Sequence, residues 1–276
     1  MGRQTGVGSG NLKKNMKVLL ALLVLGAFGG AATLEDGYGQ MYNLQFEQAH
    51  QTFREWQRVH PADPLGPVSD AAAYLFSEFD RLHILQSEFF SEDTNFLSMH
   101  KLTPDPQVKR EFEGDLGRAR SLAMSGTPGD PNVMFALLLT SGLESDYLAL
   151  IEKRYLPALS ETKQARATAE RLLMAQPGFY DAYLAIGIEN YLLSLKPAPL
   201  RWMLRMGGAE TDKDTGIGKL KLTAESGHYL KPFAKLMLAV AALRDKDRGQ
   251  ARDQLAWLTV QFPMNHLFRE ELAKVK

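Results

Sequence analysis

The sequence predicts an all-α fold made of antiparallel helical hairpins. Three observations predict it. Apolar residues recur at helical spacing almost throughout, and no run alternates as a strand would. One pattern of a helix followed by proline recurs five times. The composition, 45% hydrophobic and 23% charged over 276 residues, is that of a folded chain able to bury a sizeable core. The length suits one large domain or two small ones.

The elements follow in chain order. Residues 1–32 hold Arg3, Lys13, Lys14 and Lys17 and no acid, and "VLLALLVLGAFGGAA" fills 18–32. A basic start, an apolar run and small residues at Gly30 and Ala32 have the order of a secretory signal. The run has 15 residues, against about 20 for a bilayer span. The expectation is therefore a signal peptide cut after Ala32 or an uncleaved N-terminal membrane anchor, with translation starting at Met1 or Met16. The fold is assigned to 33–276.

Within 33–276 a helix is expected at 45–59, with Phe46, Ala49, Phe53 and Trp56 on one face. A long helix is expected at about 68–91, followed by the irregular stretch "SEDTNFLSMHKLTPDP". The stretch "ARATAERLLMAQPGFYDAYLAIGIENY", residues 165–191, shows the repeating pattern best. Ala165, Ala169 and Leu172 share a helix face and Pro177 ends the helix. The same spacing recurs at Ala49, Phe53, Trp56 and Pro61, and at Ala119, Ala123, Gly126 and Pro131. It recurs again at Leu220, Ala224, Gly227 and Pro232, and at Ala251, Leu255, Leu258 and Pro263. Positions i, i+4 and i+7 lie on one face. The small residue admits a neighbouring helix, and proline bars continuation. Residues 196–216, "KPAPLRWMLRMGGAETDKDTG", interrupt the array as an irregular connector.

These residues resemble the tetratricopeptide repeat family, which repeats over about 34 residues with an Ala, an aromatic or apolar residue four later, and a closing Pro. After Pro177, Tyr183, Ile186 and Gly187 match its aromatic, aliphatic and small positions, and Asn190 stands where the family has Tyr. The resemblance covers most of 36–274. The first positions fall 70, 46, 55 and 31 residues apart, so the array is irregular. The resemblance implies a TPR-like α-solenoid with irregular insertions, whose first helices line a groove. Mapped from the prolines, the groove positions are Asp181, Leu184, Ile188 and Tyr191, and Phe135, Leu138, Gly142 and Ser145. The Asn and Lys that some relatives use to clamp a peptide carboxylate are missing there, so that activity does not carry over.

Charge narrows the function. Lys+Arg and Asp+Glu are 32 each. Without the four basic residues of 1–32 the remainder is net acidic, which argues against nucleic-acid binding. With no cysteine, thiolate chemistry and disulfides are excluded. There is no His-Glu-x-x-His, no Gly-x-Ser-x-Gly and no dinucleotide fingerprint. "GIGK" at 216–219 reads as a helix-entry turn.

The best chemical candidates are Glu47 with His50 and Asp80 with His83, the Glu-x-x-His spacing of carboxylate-bridged metal bundles and its echo. Glu47 points away from its helix's core face, which favours a solvated face. Glu88, Glu92 and Asp93 could hold a divalent ion or simply be exposed acids. Arg201, Trp202 and Arg205 form a basic-aromatic segment that could touch a membrane or a partner, or could cap the core. The expected function is a non-enzymatic, exported or membrane-tethered scaffold in the cell envelope. It needs no cofactor, can contact a membrane through 18–32, and binds another protein or peptide. The rivals are a metal-dependent all-α enzyme and a membrane-surface protein.

Overall fold

The computed structural model describes residues 1–2, 32–85 and 102–275. The chain divides into two units, Met1–Ala32 and Thr33–Lys276. The signal or anchor expected at 18–32 lies, up to residue 31, outside the described residues.

The second unit is all-helical among the described residues. It contains α1 (Leu34–Tyr42), α2 (Phe46–Val59), α3 (Leu65–Arg81), α4 (Pro106–Ser125) and α5 (Pro131–Asp146). A π-helical turn, Tyr147–Ile151, extends α5. There follow α6 (Tyr155–Ala175), α7 (Tyr183–Ser194), α8 (Ala198–Met206), α9 (Lys213–Ser226), α10 (Lys231–Arg244), α11 (Arg248–Gln261) and α12 (His266–Lys274).

Side-chain caps start many of these helices. Asp105 and Asp130 each accept from two backbone amides of the helix they precede, and each is followed by proline. The side chain satisfies donors that have no partner within the helix, and proline at the first position has no donor to lose. Asp212, Asp247 and Asn265 cap α9, α11 and α12 in the same way.

Each helix packs on its neighbour in sequence, with one exception: α7 packs on α9, and α8 is left out of the stack. The recurring positions explain the packing. Ala49, Phe53, Ala119, Ala165, Ala169, Leu172, Leu220, Ala224, Ala251, Leu255 and Leu258 are all buried. The helix over Pro131–Ile151 is long and apolar enough to cross a membrane, yet most of it is buried inside this unit.

Two expectations change. The helix expected to run to about 91 ends at Arg81, where Leu82 caps it and His83 adopts a positive φ of 59°; residues 86–91 lie outside the described residues. The "GIGK" at 216–219 is not a turn but part of α9. Its glycine serves helix packing. A Cβ on Gly216 would lie 2.6 Å from the backbone N of Tyr191 and 3.0 Å from the carbonyl of Gly187 on α7. Opposite it, a Cβ on Gly187 would meet Leu220 at 2.9 Å. Two bare backbones let α7 and α9 touch.

Helix α1 was not expected, because Gly37 and Gly39 lower helix propensity. Thr33 and Asp36 form a capping box that starts it, and a Cβ on Gly37 would overlap the Phe53 ring. Helix α1 also reaches the far end of the unit. The Tyr42 hydroxyl donates to the Tyr229 carbonyl at 3.2 Å, and Asn265 Nδ2 donates to the Tyr42 carbonyl at 2.8 Å. Met264 N donates to Asn43 Oδ1 at 3.0 Å, and the Tyr38 and Tyr229 rings lie 5.0 Å apart.

The α7–α9 contact gives a paired test. Gly216→Ala should destabilise the protein by about 1–3 kcal/mol, because backbone atoms cannot move aside. Gly218→Ala, where a Cβ meets nothing within 4 Å, should stabilise it by about 0.5–1 kcal/mol. Urea denaturation of both variants measures this; equal effects would show that α7 and α9 are not in backbone contact.

Candidate functional site

The expected groove positions separate into two groups. Phe135 and Tyr191 are among the largest fully buried side chains, and the Phe135 ring lies 4.9 Å from Phe179. Asp181 is also buried and is committed to backbone. Its carboxylate accepts from the amides of His228 (3.0 Å), Tyr229 (3.1 Å) and Leu230 (2.9 Å), holding the turn that enters α10. Burial pushes its pKa up, and these amides oppose the shift. Leu138, Leu184 and Ile188, with Gly142 and Ser145, instead line a partly enclosed cavity of about 100 Å³. Helix α1 closes that side with Tyr38, Met41 and Tyr42. Residues of α1 and these positions on α5 and α7 thus line the same cavity.

Its wall is mostly apolar and carries one charged side chain. Asp146, the last residue of α5, lines the cavity beside Phe76, Ile188 and Phe233. Its side chain is half-buried. Its carboxyl has no hydrogen-bond or ion-pair partner among the described residues. Burial alone pushes its pKa up to about 7. The π-helical turn begins at the next residue, where Glu152 N donates to the Tyr147 carbonyl. Such turns re-aim side chains and are frequent at functional sites. The groove mapping stopped at Ser145, one residue short of Asp146. Glu144 and Asp146 are the only charges in the apolar stretch 131–151. Glu144 is paired with Arg120, which leaves Asp146 as the acid in need of explanation.

The connector behaves differently. Arg201 donates to the carbonyls of Ser194 (3.2 Å) and Lys196 (3.1 Å), and Arg205 donates to Thr211 Oγ1 (2.5 Å). Both guanidinium groups thus stitch α8 to its own connections. Leu200, Trp202, Met203 and Met206 face outward, between 41% and 71% exposed. The connector is latched by buried charge. Arg166 of α6 lies 2.8 Å from Glu189 and 3.0 Å from Glu210. Asn190, where the repeat resemblance expects Tyr, donates to Glu210 at 2.8 Å and accepts from Asp212 N at 3.1 Å.

The proposed metal ligands are not gathered. Glu47 is exposed. His50 is buried rather than on a solvated face, and its Nδ1 is paired with Asp70. Among the described residues no group of three or more His, Asp or Glu side chains is placed to hold a metal. Glu88, Glu92 and Asp93 lie outside the described residues. Comparison with protein families, curated proteins and solved structures finds no match to this chain.

The Asp146 carboxyl predicts a pH dependence. The folded chain keeps this proton up to about pH 7, whereas an unfolded Asp releases it near about 4. Folding takes up a proton in that window, so stability falls as pH rises from about 4 to about 7 and the loss is complete above it. The only other titratable side chains on the wall are Tyr38 and Tyr42, whose phenols burial pushes up. Asp146→Asn should therefore gain stability relative to wild type by about 2 kcal/mol more at pH 8 than at pH 5. Urea denaturation at both values measures this; an equal difference would show that the carboxyl titrates normally.

Proposed function

We propose that this chain is a non-enzymatic, TPR-like α-solenoid scaffold, exported or tethered to a membrane through residues 18–32, that docks on another protein through α8. The observation that carries this reading is the outward face of α8. Trp202 is 64% exposed, Met203 62% and Met206 71%. One helix face with a large aromatic and flexible thioethers suits insertion into an apolar groove on a partner. The fate of the arginines separates this from a membrane-surface role. Arg201 and Arg205 are spent on backbone and Thr211, so they are poorly placed to grip lipid phosphates. The repeat architecture is supported by the packing of successive helices and by burial of the five spaced motifs. The scattered Glu47, His50, Asp80 and His83 give the metal-enzyme rival little support.

A photo-crosslinking side chain at Met203 should capture a specific protein in cells, whereas the same group at Met124, 81% exposed on α4, should not. Trp202→Asp should weaken the captured complex by about 30-fold or more, the loss typical of a buried interface aromatic. Equal labelling from both positions would rule out docking through α8. Sedimentation of the 33–276 face with vesicles, lost on Trp202→Asp, would favour the membrane-surface reading instead.

A further inference from the structure

The cavity behind α1 has five polar side chains on its wall, and four are already committed. Ser69 Oγ donates to the Tyr38 hydroxyl at 3.1 Å, and the Tyr42 hydroxyl donates to the Tyr229 carbonyl. The Ser145 and Thr162 hydroxyls are hydrogen-bonded to each other at 2.7 Å and share the Ala158 carbonyl as acceptor at 3.0 Å. Asp146 is the one charged side chain on the wall and has no partner among the described residues, and no basic residue lines the cavity. The same cavity is lined by the rings of Tyr42, Phe76 and Phe233 and the aliphatic chains of Leu184 and Ile188. A group that satisfies this wall must be apolar over most of its surface and must carry one strong donor.

We propose that this cavity is a binding site for a compact apolar ammonium ligand, whose cationic amine donates to the Asp146 carboxylate while its hydrocarbon lies against Phe76, Leu184, Ile188 and Phe233. A charge-assisted hydrogen bond in a water-poor site is the strong kind, and the aromatic faces favour a cation further. The volume of about 100 Å³ sets the size. A water molecule takes about 30 Å³, and a dry cavity of about 150 Å³ accepts benzene, so a short alkyl chain fits. A cation also relieves the cost of ionising a carboxyl held up to about 7. The other charged groups on α5 and α6 are otherwise engaged. Glu144 on α5 is paired with Arg120, Glu161 on α6 lies 3.9 Å from the same arginine, and Arg166 is held by Glu189 and Glu210. No charged residue of α1, α3, α7 or α10 lines the cavity. The proposal stands independently of the docking face on α8.

The test is calorimetric titration of the full chain with n-butylammonium, with 1-butanol as the neutral probe of similar shape. Butylammonium should bind at least tenfold more tightly than butanol at pH 8. Its affinity should fall about 100-fold at pH 5, where the free carboxyl is protonated, and butanol binding should not change. Asp146→Asn should remove the preference for the cation and leave butanol binding intact, which also shows that the variant is folded. Ile188→Trp, which fills the cavity and keeps the acid, should abolish binding of both probes. Butylammonium binding that equals butanol binding, or that survives in Asp146→Asn, would overturn the proposal, as would no binding of either probe to the wild type.

Discussion

The docking of α1 against the last hairpins is the contact on which the rest of the unit depends. Tyr38 and Tyr42 lie against Tyr229 and Phe262, and Asn43 and Tyr42 accept hydrogen bonds from Met264 and Asn265. These contacts join residues about 190–220 positions apart, so their closure entropy is not recovered by any local structure. A stack of hairpins that touch only their neighbours is stabilised by nearest-neighbour terms. Here one helix spans several neighbours and couples them. Its Tyr38, Met41 and Tyr42 also face a cavity lined by residues of α5 and α7. The imperfect fit beneath it leaves the cavity and fixes which side chains line it.

Buried charge does two different jobs in this unit. In the Arg166, Glu189 and Glu210 cluster, opposite charges and Asn190 hold the connector, so that α8 projects from the stack. Such a pair contributes little net stability but strongly resists removal of one partner. Asp181 likewise replaces water with three amide donors. Asp146 has neither a cation nor amides, and burial therefore moves its protonation to neutral pH. A group this costly is retained more readily where a ligand completes it than where nothing does.

Much of the helical architecture was legible in the sequence. The Ala-containing faces and terminating prolines are local features, since positions i, i+4 and i+7 meet within one helix whatever surrounds it. Ala49, Ala119, Ala165 and Ala251 were read as contact residues for that reason, and all are buried. The connector at 196–216 was also visible as a break in the pattern. Gly216 was misread because a glycine that permits backbone contact looks the same in sequence as one that permits a turn. The Thr33–Asp36 capping box could have revealed α1 despite Gly37 and Gly39. Of the candidate site, Leu138, Leu184 and Ile188 were found by repeat spacing, whereas Asp146 was not, because an acid's partners are set by other helices.

The sequence by itself determined that the chain is helical and which positions of the recurring motif are buried. These follow from local periodicity, capping and proline sterics. Only the tertiary structure decided that α1 shares a cavity with α5 and α7, that α8 stands outside the stack with its apolar face outward, and that Asp146 is left without a partner among the described residues. Each of these depends on where distant helices come to rest, and that is fixed by the packing of shapes rather than by the spacing of residues.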